Sequence, residues 1–537
     1  MRRPVCCCWE ESAEDNNNKN KTYLHSHSMP DSTGKRKRED AAVRPSALKK
    51  TATKSAVASK QQQKTTSLPP KGKSAPKTKA SAKANAAKIE NGTSDDSLAI
   101  QIVTGSYERV LHGFTASIPR NALTSSKDDV DSDKPNTTFS DTFLFAAHAA
   151  SVRCLAISPP TESDKRYLAT GGSDERVNVY TISTAPPVSN ASRKLPSMAQ
   201  TSISENPSNK SLGSLLHHDR AITRLHFPAK GKLFSAAEDN TIAISRTRDW
   251  TALSSIKAPL PKVQGRPSGD TAAPGEIPMG INDFAIHPSQ KLMLSVGRGE
   301  KSMRLWNLMT GKKAGVLTFE REVLGQAGEG KFSSGEGRRI LFDEAGENFV
   351  VGFEKGAVMF GIDNSRPKAV IKTTPATKLH QMHFVPSTEG KNVLAVSTED
   401  GRVLFFDVAK AASEPAPESA KGLPVCECIA QLGGAAAGVS GRTKDFEIVR
   451  LANSSDLIVV TASSDGAVRL WMLGAGEIAV TEGSSAPSQV GSLVGHLETG
   501  NRITCLGAFA MDGSHGNTKV DPDDNISDAG DASEDEN

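Results

Sequence analysis

The sequence predicts an all-β fold, a ring of seven four-stranded sheets of the kind called a β-propeller. The first observation is the stretch LIVVTASSDGAVRLWML, in which an apolar β-branched run, an Asp-Gly turn and a second apolar run form a hairpin signal. The second observation is that this hairpin recurs along the chain, as a repeat architecture requires. The seven copies are Ile100–Phe114, Arg166–Ile182, Lys232–Ser245, Lys291–Leu308, Asn348–Ile362, Asn392–Val408 and Leu457–Leu473.

The spacing of the hairpins fits one hairpin per blade. The residues at the turn position are Tyr107, Asp174, Asp239, Glu300, Lys355, Asp400 and Asp465. Their separations run from 45 to 67 residues, whereas a four-stranded blade needs about 40–45. The surplus is expected in polar, Gly/Pro/Ser-rich loops, namely Thr184–Lys210, Ala258–Gly280, Gly325–Gly337, Ala411–Gly422 and Gly433–Thr443.

A further strand is predicted before several hairpins, and it gives each blade its inner edge. Each of these segments runs into a proline, which cannot continue a hydrogen-bonded ladder: Ser151–Pro160, Ala221–Lys230, Ile281–Gln290 and Lys378–Ser387. The first hairpin has no such strand before it, and NRITCLGAF near the C-terminus is followed by no hairpin. We therefore expect the two ends of the chain to share one blade, which hides the sheet edges of a linear array.

Histidines accompany two of the turn aspartates. His148 and His218 each lie four residues before the second residue of an inner strand, and the turns that follow carry Asp174 and Asp239. This pairing, with a Trp ending the hairpin at Trp306 and Trp471, is typical of WD-type propeller repeats. Asp400 and Asp465 occupy the turn position in blades without the histidine, and we expect all these side chains to be structural, because buried carboxylates need hydrogen-bond donors. Blades with Tyr107 or Lys355 there are expected to be held by packing alone.

The charge is divided between the two ends of the chain. Residues 1–97 carry 20 Lys and Arg against 10 Asp and Glu, and residues 512–537 carry one Lys against nine acids, whereas residues 98–511 are close to neutral. We expect a disordered basic arm, the ring over 98–511 and a disordered acidic tail. The run Lys35, Arg36, Lys37 and Arg38 indicates a nuclear import signal, and the Lys-rich arm suits non-specific RNA binding. A merely solvated charge run is the alternative.

The sequence offers little that points to catalysis, metal binding or a membrane. Seven cysteines show no zinc-type spacing, and Cys154 and Cys505 lie in strand-like runs where an inert buried thiol is expected. The segment GQAGEGKF resembles a phosphate-binding loop, but Phe332 stands where a Ser or Thr is needed. No apolar run reaches the ~20 residues of a transmembrane helix. We expect a non-enzymatic protein without cofactor, metal ion or small-molecule substrate.

A closer family resemblance rests on segments taken in order along residues 98–511. They include TGSYERVLHGF, RYLATGGSDERVNVY, KLFSAAEDNTIAI, LIVVTASSDGAVRLW and RITCLGAF. Together they resemble the PAK-interacting WD-repeat protein family, called the maintenance-of-killer type in fungi. The most specific features are the opening blade with Tyr-Glu in place of Ser-Asp and the closing RITCLG segment.

The resemblance implies a nuclear and nucleolar factor that binds pre-ribosomal particles and acts in assembly of the large ribosomal subunit. Its expected partners are pre-ribosomal proteins, and contact with ribosomal RNA stays open. Family members outside fungi are also described as binding and restraining a p21-activated kinase, which is the first alternative. A substrate-receptor or chromatin-complex scaffold is the second, since it shares the fold but has no dedicated motif here.

Overall fold

The structure, a computed structural model, describes residues 97–120, 137–161, 165–186, 206, 208–260, 279–331, 333–386, 392–414, 417, 421–451, 454–474, 476–478 and 487–511. The predicted basic arm up to residue 96, with its import signal, and the acidic tail from residue 512 lie outside the described residues.

Seven sheets succeed one another along the chain, and we number them as blades. Blade 1 contains β1 (Ser97–Ser106), β2 (Val110–Pro119) and β3 (Thr138–Ala146). Blade 2 contains β4 (Val152–Ile157), β5 (Lys165–Gly172), β6 (Val177–Ser183) and β7 (Lys210–Leu215). Blade 3 contains β8 (Ile222–Ala229), β9 (Lys232–Ala237), β10 (Thr241–Arg246) and β11 (Ala252–Lys257). Blade 4 contains β12 (Ile281–Ile286), β13 (Leu292–Gly297), β14 (Ser302–Asn307) and β15 (Lys312–Thr318).

The remaining blades follow the same order. Blade 5 contains β16 (Arg339–Phe342), β17 (Asn348–Gly352), β18 (Gly356–Gly361) and β19 (Pro367–Lys372). Blade 6 contains β20 (Leu379–Phe384), β21 (Val393–Thr398), β22 (Arg402–Asp407), β23 (Glu427–Gly433) and the short parallel strand β27 (Ser488–Gln489). Blade 7 contains β24 (Thr443–Arg450), β25 (Leu457–Ser463), β26 (Ala467–Leu473) and β28 (Ser492–Glu498). The final strand, β29 (Ile503–Ala510), returns to blade 1.

The ring closes as the sequence predicts. Strand β29 pairs antiparallel with β1, so that Ile100 faces Ala510 and Gly105 faces Cys505 across the ladder. Blade 1 therefore has the order β29-β1-β2-β3, with its inner strand taken from the far end of the chain. The closure therefore pairs two segments that lie about 400 residues apart in the chain. Neither the first nor the last strand of the propeller is left with a free edge on this side.

The hydrophobic core is divided among the seams between blades. The buried apolar side chains fall into seven clusters, and each cluster takes its members from two neighbouring blades. In blade 5, for example, Val351 packs toward blade 4 whereas Val350 packs toward blade 6. Successive side chains of a strand point to opposite faces, so a strand buried on both faces needs apolar residues at nearly every position. This explains why LIVV in β25 is continuous rather than alternating.

The connections contain more structure than their composition predicts. A short helix, α1 (Arg321–Gln326), runs into the predicted loop Gly325–Gly337, and α2 (Ala409–Ser413) overlaps the loop predicted from Ala411. A 3₁₀ turn occupies Ala435–Ala437. The glycine-rich composition hides these turns, because one helical turn needs no long periodic pattern. Pro228 also lies within β8, where the ladder register shifts around it.

Candidate functional site: the inner ring and its faces

His148 links the start of one inner strand to the following turn in blade 2. Its Nδ1 lies 2.9 Å from Asp174 Oδ1 and its Nε2 lies 2.9 Å from Thr170 Oγ1. The N–H at Nδ1 donates to the carboxylate, so Nε2 accepts the threonine hydroxyl. Burial tends to raise the pKa of Asp174, but the N–H of Ala149 and the imidazole outweigh that effect, and the pKa lies below its usual value.

His218 makes the same connection in blade 3. Its Nδ1 lies 3.2 Å from Asp239 Oδ2, and its Nε2 lies 2.8 Å from Ser235 Oγ. Burial tends to raise the pKa of Asp239, yet hydrogen bonds from His218, Thr241 and the backbone lower it to about 2. Both nitrogens of each imidazole ring are thus hydrogen-bonded. This arrangement stabilises the turn and leaves no free imidazole nitrogen to act as a base.

The tryptophans end the hairpins of two other blades. The indole N–H of Trp306 donates to Ser295 Oγ at 2.8 Å, and that of Trp471 donates to Thr461 Oγ1 at 3.1 Å. Both rings are buried, with about 3 % of their surface exposed. A Ser or Thr hydroxyl on the second strand of the blade is thus hydrogen-bonded to a histidine in blades 2 and 3 and to a tryptophan indole in blades 4 and 7.

The remaining turn aspartates bind their own turns. Asp400 accepts the hydroxyl of Thr398 and the Nε–H of Arg402, the latter at 2.9 Å. Asp465 Oδ1 accepts the N–H of Ala467 at 3.2 Å, and the carboxylate packs against the backbone of Gly441. The structure brings neither carboxylate to a histidine.

The expectation that the blades of Tyr107 and Lys355 are held by packing alone is wrong. In blade 5, Oε1 of Glu329 accepts the N–H groups of Glu354 and Lys355 at 2.9 and 3.0 Å. In blade 1, Glu108 Oε2 accepts the N–H of Arg502 at 2.9 Å. Each turn thus has a substitute carboxylate.

The carboxylate for blade 5 comes from the insertion after α1, and so does a second one. Glu336 from the same connection accepts the N–H of Gly299 in the blade 4 turn at 2.8 Å. Sequence reasoning missed both because a loop carboxylate has no fixed spacing from the turn that it caps. The one available signal was the presence of two acidic residues, Glu329 and Glu336, in a loop that otherwise consists largely of small residues.

A layer of polar side chains crosses the seams around the central channel. Arg224 Nε lies 3.2 Å from Asp283 Oδ1, and Asp283 Oδ2 accepts the N–H of Ile340. On the opposite side, Asp445 accepts Gln381 Nε2 at 3.2 Å and the N–H of Leu506 at 2.9 Å. These contacts join the inner strands of blades 3 and 4, 4 and 5, 6 and 7, and 7 and 1.

The same layer reaches the other seams. Arg339 Nε donates to the carbonyl of His380 at 2.9 Å, Thr504 Oγ1 donates to the carbonyl of Val152 at 2.7 Å, and Arg153 Nη1 lies 2.6 Å from Glu238 Oε1. Every seam of the ring therefore has at least one polar contact near the channel. Because the apolar clusters alone are non-directional, these bonds set the angle at which neighbouring blades meet.

The channel surroundings favour neutral forms of several side chains. Burial raises the pKa of Glu447 to about 8, with Asp445 adding to the effect and Arg224 opposing it. Burial and then nearby arginines lower the pKa of His383 to about 3. Burial raises the pKa of the Cys154 thiol to about 12, so it stays a protonated thiol at neutral pH. Such groups suit a packed structural channel lining.

An aromatic groove lies on the outer rim between blades 1 and 2. It has a volume of about 520 Å³ and lies between the edge strands β3 and β7. Phe145 is about 40 % exposed there, and its ring centroid lies 5.7 Å from that of Tyr180 and 6.0 Å from that of Phe143. The aromatic side chains of the groove can make apolar contact with a partner, and polar residues line one edge of the groove.

The described part of the chain holds neither a metal-type side-chain cluster nor a membrane-spanning helix. Within it, no group of three or more His, Cys, Asp or Glu side chains could hold a metal ion. No helix there is long and apolar enough to cross a membrane. The import signal Lys35, Arg36, Lys37 and Arg38 lies outside the described residues.

Comparison with known proteins agrees with the geometry of blade 2. The family model for the WD domain, G-beta repeat, matches residues 139–181, a segment that contains the complete His148, Thr170 and Asp174 network. The chain is therefore a seven-bladed β-propeller that contains a WD repeat.

Several known proteins are similar to this chain over most of its length. A p21-activated protein kinase-interacting protein 1-like protein of Gallus gallus is 26 % identical over 76 % of this chain and 80 % of its own. Protein MAK11 of Saccharomyces cerevisiae is 25 % identical over 81 % of this chain and 89 % of its own. Shk1 kinase-binding protein 15 of Schizosaccharomyces pombe is 22 % identical over 77 % and 85 %. The chain is therefore similar to PAK-interacting and MAK11 proteins over most of its length.

Proposed function

We propose that this WD-repeat protein is a non-enzymatic scaffold that binds pre-ribosomal particles in the nucleolus and acts in assembly of the large ribosomal subunit. The observation that carries the proposal is the resemblance to the maintenance-of-killer type proteins. It runs through the whole ring, including the atypical opening blade and the closing strand, and not only through the generic hairpins. A closed ring with seven seams and two faces suits a protein that holds several partners at once.

Nuclear and nucleolar localisation is part of the proposal. The basic arm, with a net charge of +10 over residues 1–97, supports it, because clustered Lys and Arg serve both import and phosphate contact. Contact with ribosomal RNA through this arm would be non-specific, since the arm lacks aromatic residues interleaved with its lysines for base stacking.

Sedimentation tests the assembly role. Tagged full-length protein from a nuclear extract is run on a sucrose gradient with and without RNase. We expect it in the fractions of large-subunit precursors, and we expect RNase to move it to light fractions. Light fractions in both gradients would contradict the proposal.

Kinase regulation is the second candidate, and the relatives named for kinase binding favour it. If it applies, the purified full-length protein lowers the activity of a p21-activated kinase at a stoichiometric ratio. Unchanged kinase activity together with gradient comigration would leave the assembly role alone.

A further inference from the structure

Three consecutive blades carry a cation at one structural position on the channel mouth. In blades 6, 7 and 1 the residue before or at the start of the inner strand accepts, through its carbonyl, the N–H of a turn residue at 2.9 Å. These residues are Lys378, Arg442 and Arg502. At the same position blades 2, 3 and 4 have Ser151, Ala221 and Gly280, which carry no charge. The cations are thus concentrated on one side of the ring.

Two further side chains extend this set toward the channel. His380 at the start of β20 and Lys444 at the start of β24 each lie two residues beyond the first position, where the ladder register shifts, and both are close enough to Lys378 and Arg442 to be affected by their charges. We call Lys378, His380, Arg442, Lys444 and Arg502 the cation arc.

Nearby carboxylates neutralise only part of the cation arc. Lys378 Nζ lies 2.9 Å from Glu354 Oε1, and Arg442 Nε lies 3.2 Å from Glu399 Oε1. Within the described residues, no carboxylate lies within 4.0 Å of the charged atoms of Lys444 or Arg502. Across the channel the arrangement differs, because Glu238 there binds both Arg153 and Arg298. Lys444 and Arg502 therefore have no direct ion pair within the described residues, although the Glu108 carboxylate lies 2.9 Å from the backbone nitrogen of Arg502 and Glu399 acts on Lys444 at longer range.

Burial and the clustered positive charge lower the pKa values of two basic groups in the arc, Lys444 and His380. Burial, followed by Arg442, Arg502 and Lys378, lowers the pKa of Lys444, and Glu399 opposes the effect only in part. Burial, followed by Lys444, Arg339, Lys378 and Arg442, lowers the pKa of His380 to about 3. The Nε2 atom of His380 is buried and has no hydrogen-bond partner among the described residues. An anion placed here would relieve the repulsion among the cations.

We propose that the cation arc binds an acidic segment of a partner protein, with its Asp and Glu carboxylates placed against Lys444 and Arg502. Exposed Tyr107, whose ring lies 5.6 Å from the Arg502 guanidinium, provides apolar contact for the same segment. Tyr107 is about 61 % exposed, so it is free to cover a partner side chain.

An acidic protein segment fits the arc better than RNA. Glu354 and Glu399 lie beside the arc, and their carboxylates repel RNA, which carries a phosphate at every nucleotide. A peptide can instead place neutral residues next to them and carboxylates next to the two unneutralised cations. Tyr107 is also a single exposed ring, whereas single-stranded nucleic acid stacks its bases on a series of aromatic side chains. This inference goes beyond the assembly role and does not depend on which particle or kinase is bound.

Binding of defined probes to the full-length protein tests the proposal. The probes are a fluorescein-labelled peptide of alternating Glu and Ser, the same peptide with Gln for Glu, and an oligouridylate RNA. The test variant combines Lys444→Gln and Arg502→Gln. Neither substitution strands a carboxylate of the described ring, so the fold should be retained, and thermal melting checks this. The matched control combines Lys312→Gln and Lys313→Gln on the exposed edge strand β15.

We expect the acidic peptide to bind the wild-type protein and the control equally, and the test variant about tenfold more weakly. The basic arm contributes equally to all three proteins, so the difference reports the arc. Photo-crosslinking locates the contact: Tyr107→p-benzoylphenylalanine should capture the acidic peptide, and Met309→p-benzoylphenylalanine should not. Equal affinity of test variant and control, crosslinking at both positions, or displacement of the peptide from Tyr107 by the RNA at lower concentration would overturn the proposal.

The outcome is separate from that of the sedimentation test. If the protein comigrates with pre-ribosomal particles but the test variant binds the peptide normally, only the proposal for the cation arc is contradicted. If the test variant binds the peptide weakly but the protein stays in light fractions, only the assembly role is contradicted.

Discussion

Glu329→Ala should destabilise blade 5, although this residue lies in an insertion that resembles a plain loop. Its side chain, about 8 % exposed, accepts the N–H groups of Glu354 and Lys355 and the hydroxyl of Ser333. A hydrogen bond to a charged group contributes about 1.5–3 kcal/mol when buried. The turn lies at the surface of the ring, so water replaces part of what is lost, and we expect a total cost of about 3 kcal/mol.

The melting shift follows from the size of the ring. Unfolding entropy of about 2.1 cal/mol/K per residue over about 400 residues gives roughly 0.8 kcal/mol/K, so the melting temperature should fall by about 4 °C. Glu329→Gln keeps one acceptor and loses the charge, and we expect about half of that shift. Thermal melting followed by tryptophan fluorescence measures both.

A matched control and a local measurement make the test specific. Glu322→Ala removes a carboxylate that is about half exposed and lies 3.9 Å from Lys421, and it should shift melting by less than about 0.5 °C. Hydrogen exchange at the amides of Glu354 and Lys355 should quicken only in the Glu329 variants. If Glu329→Ala melts like Glu322→Ala and these amides stay protected, the carboxylate does not cap the turn.

Three further changes test other parts of the ring. Asp239 has a lowered pKa of about 2, against an ordinary 3.8; its contribution is complete above the ordinary value and is lost as pH falls from about 4 to about 2. Asp239→Asn should therefore flatten the stability profile in that window, measured by urea unfolding. Gly105→Ala places a methyl group 2.7 Å from Cys505 Sγ and should loosen ring closure by about 1–3 kcal/mol, seen as a lower melting temperature. Trp471→Phe removes the indole N–H that Thr461 Oγ1 accepts and replaces the indole by a smaller side chain in the core, which should cost about 1–3 kcal/mol in urea unfolding.

The Asp239 and Gly105 changes each have a control elsewhere in the chain. Asp219→Asn removes an exposed carboxylate next to His218 and should leave the acid profile unchanged. Gly231→Ala adds a methyl group where no atom lies within 4 Å, so it should melt like the wild type. An equal effect in variant and control would contradict the structural reason given for that variant.

The strands and the closure could be predicted because their signals are local or repeated. Each hairpin combines an apolar run with a turn residue, and seven copies average out the defects of any single one. The closing strand could be inferred by elimination, since one hairpin lacked an inner strand and one inner strand lacked a hairpin. The structure confirms both, with β29 paired to β1.

The fate of the polar side chains could be predicted only in part. A histidine and an aspartate at fixed offsets indicate a network, and the structure brings His148 to Asp174 and His218 to Asp239. Glu329 and Glu336 have no such offset, because a loop can deliver a carboxylate from any position that reaches the turn. The loop sequence therefore shows two acids among small residues but does not show which turns they cap.

The sequence by itself determined the kind of element, the number of blades and the way that the ring closes. These depend on the periodicity of side chains along a strand, which neighbours in the chain set. The tertiary structure alone decided which charges face one another across the channel. Lys378, Arg442 and Arg502 are about 60 residues apart in the chain, and only the rotation from blade to blade places them side by side.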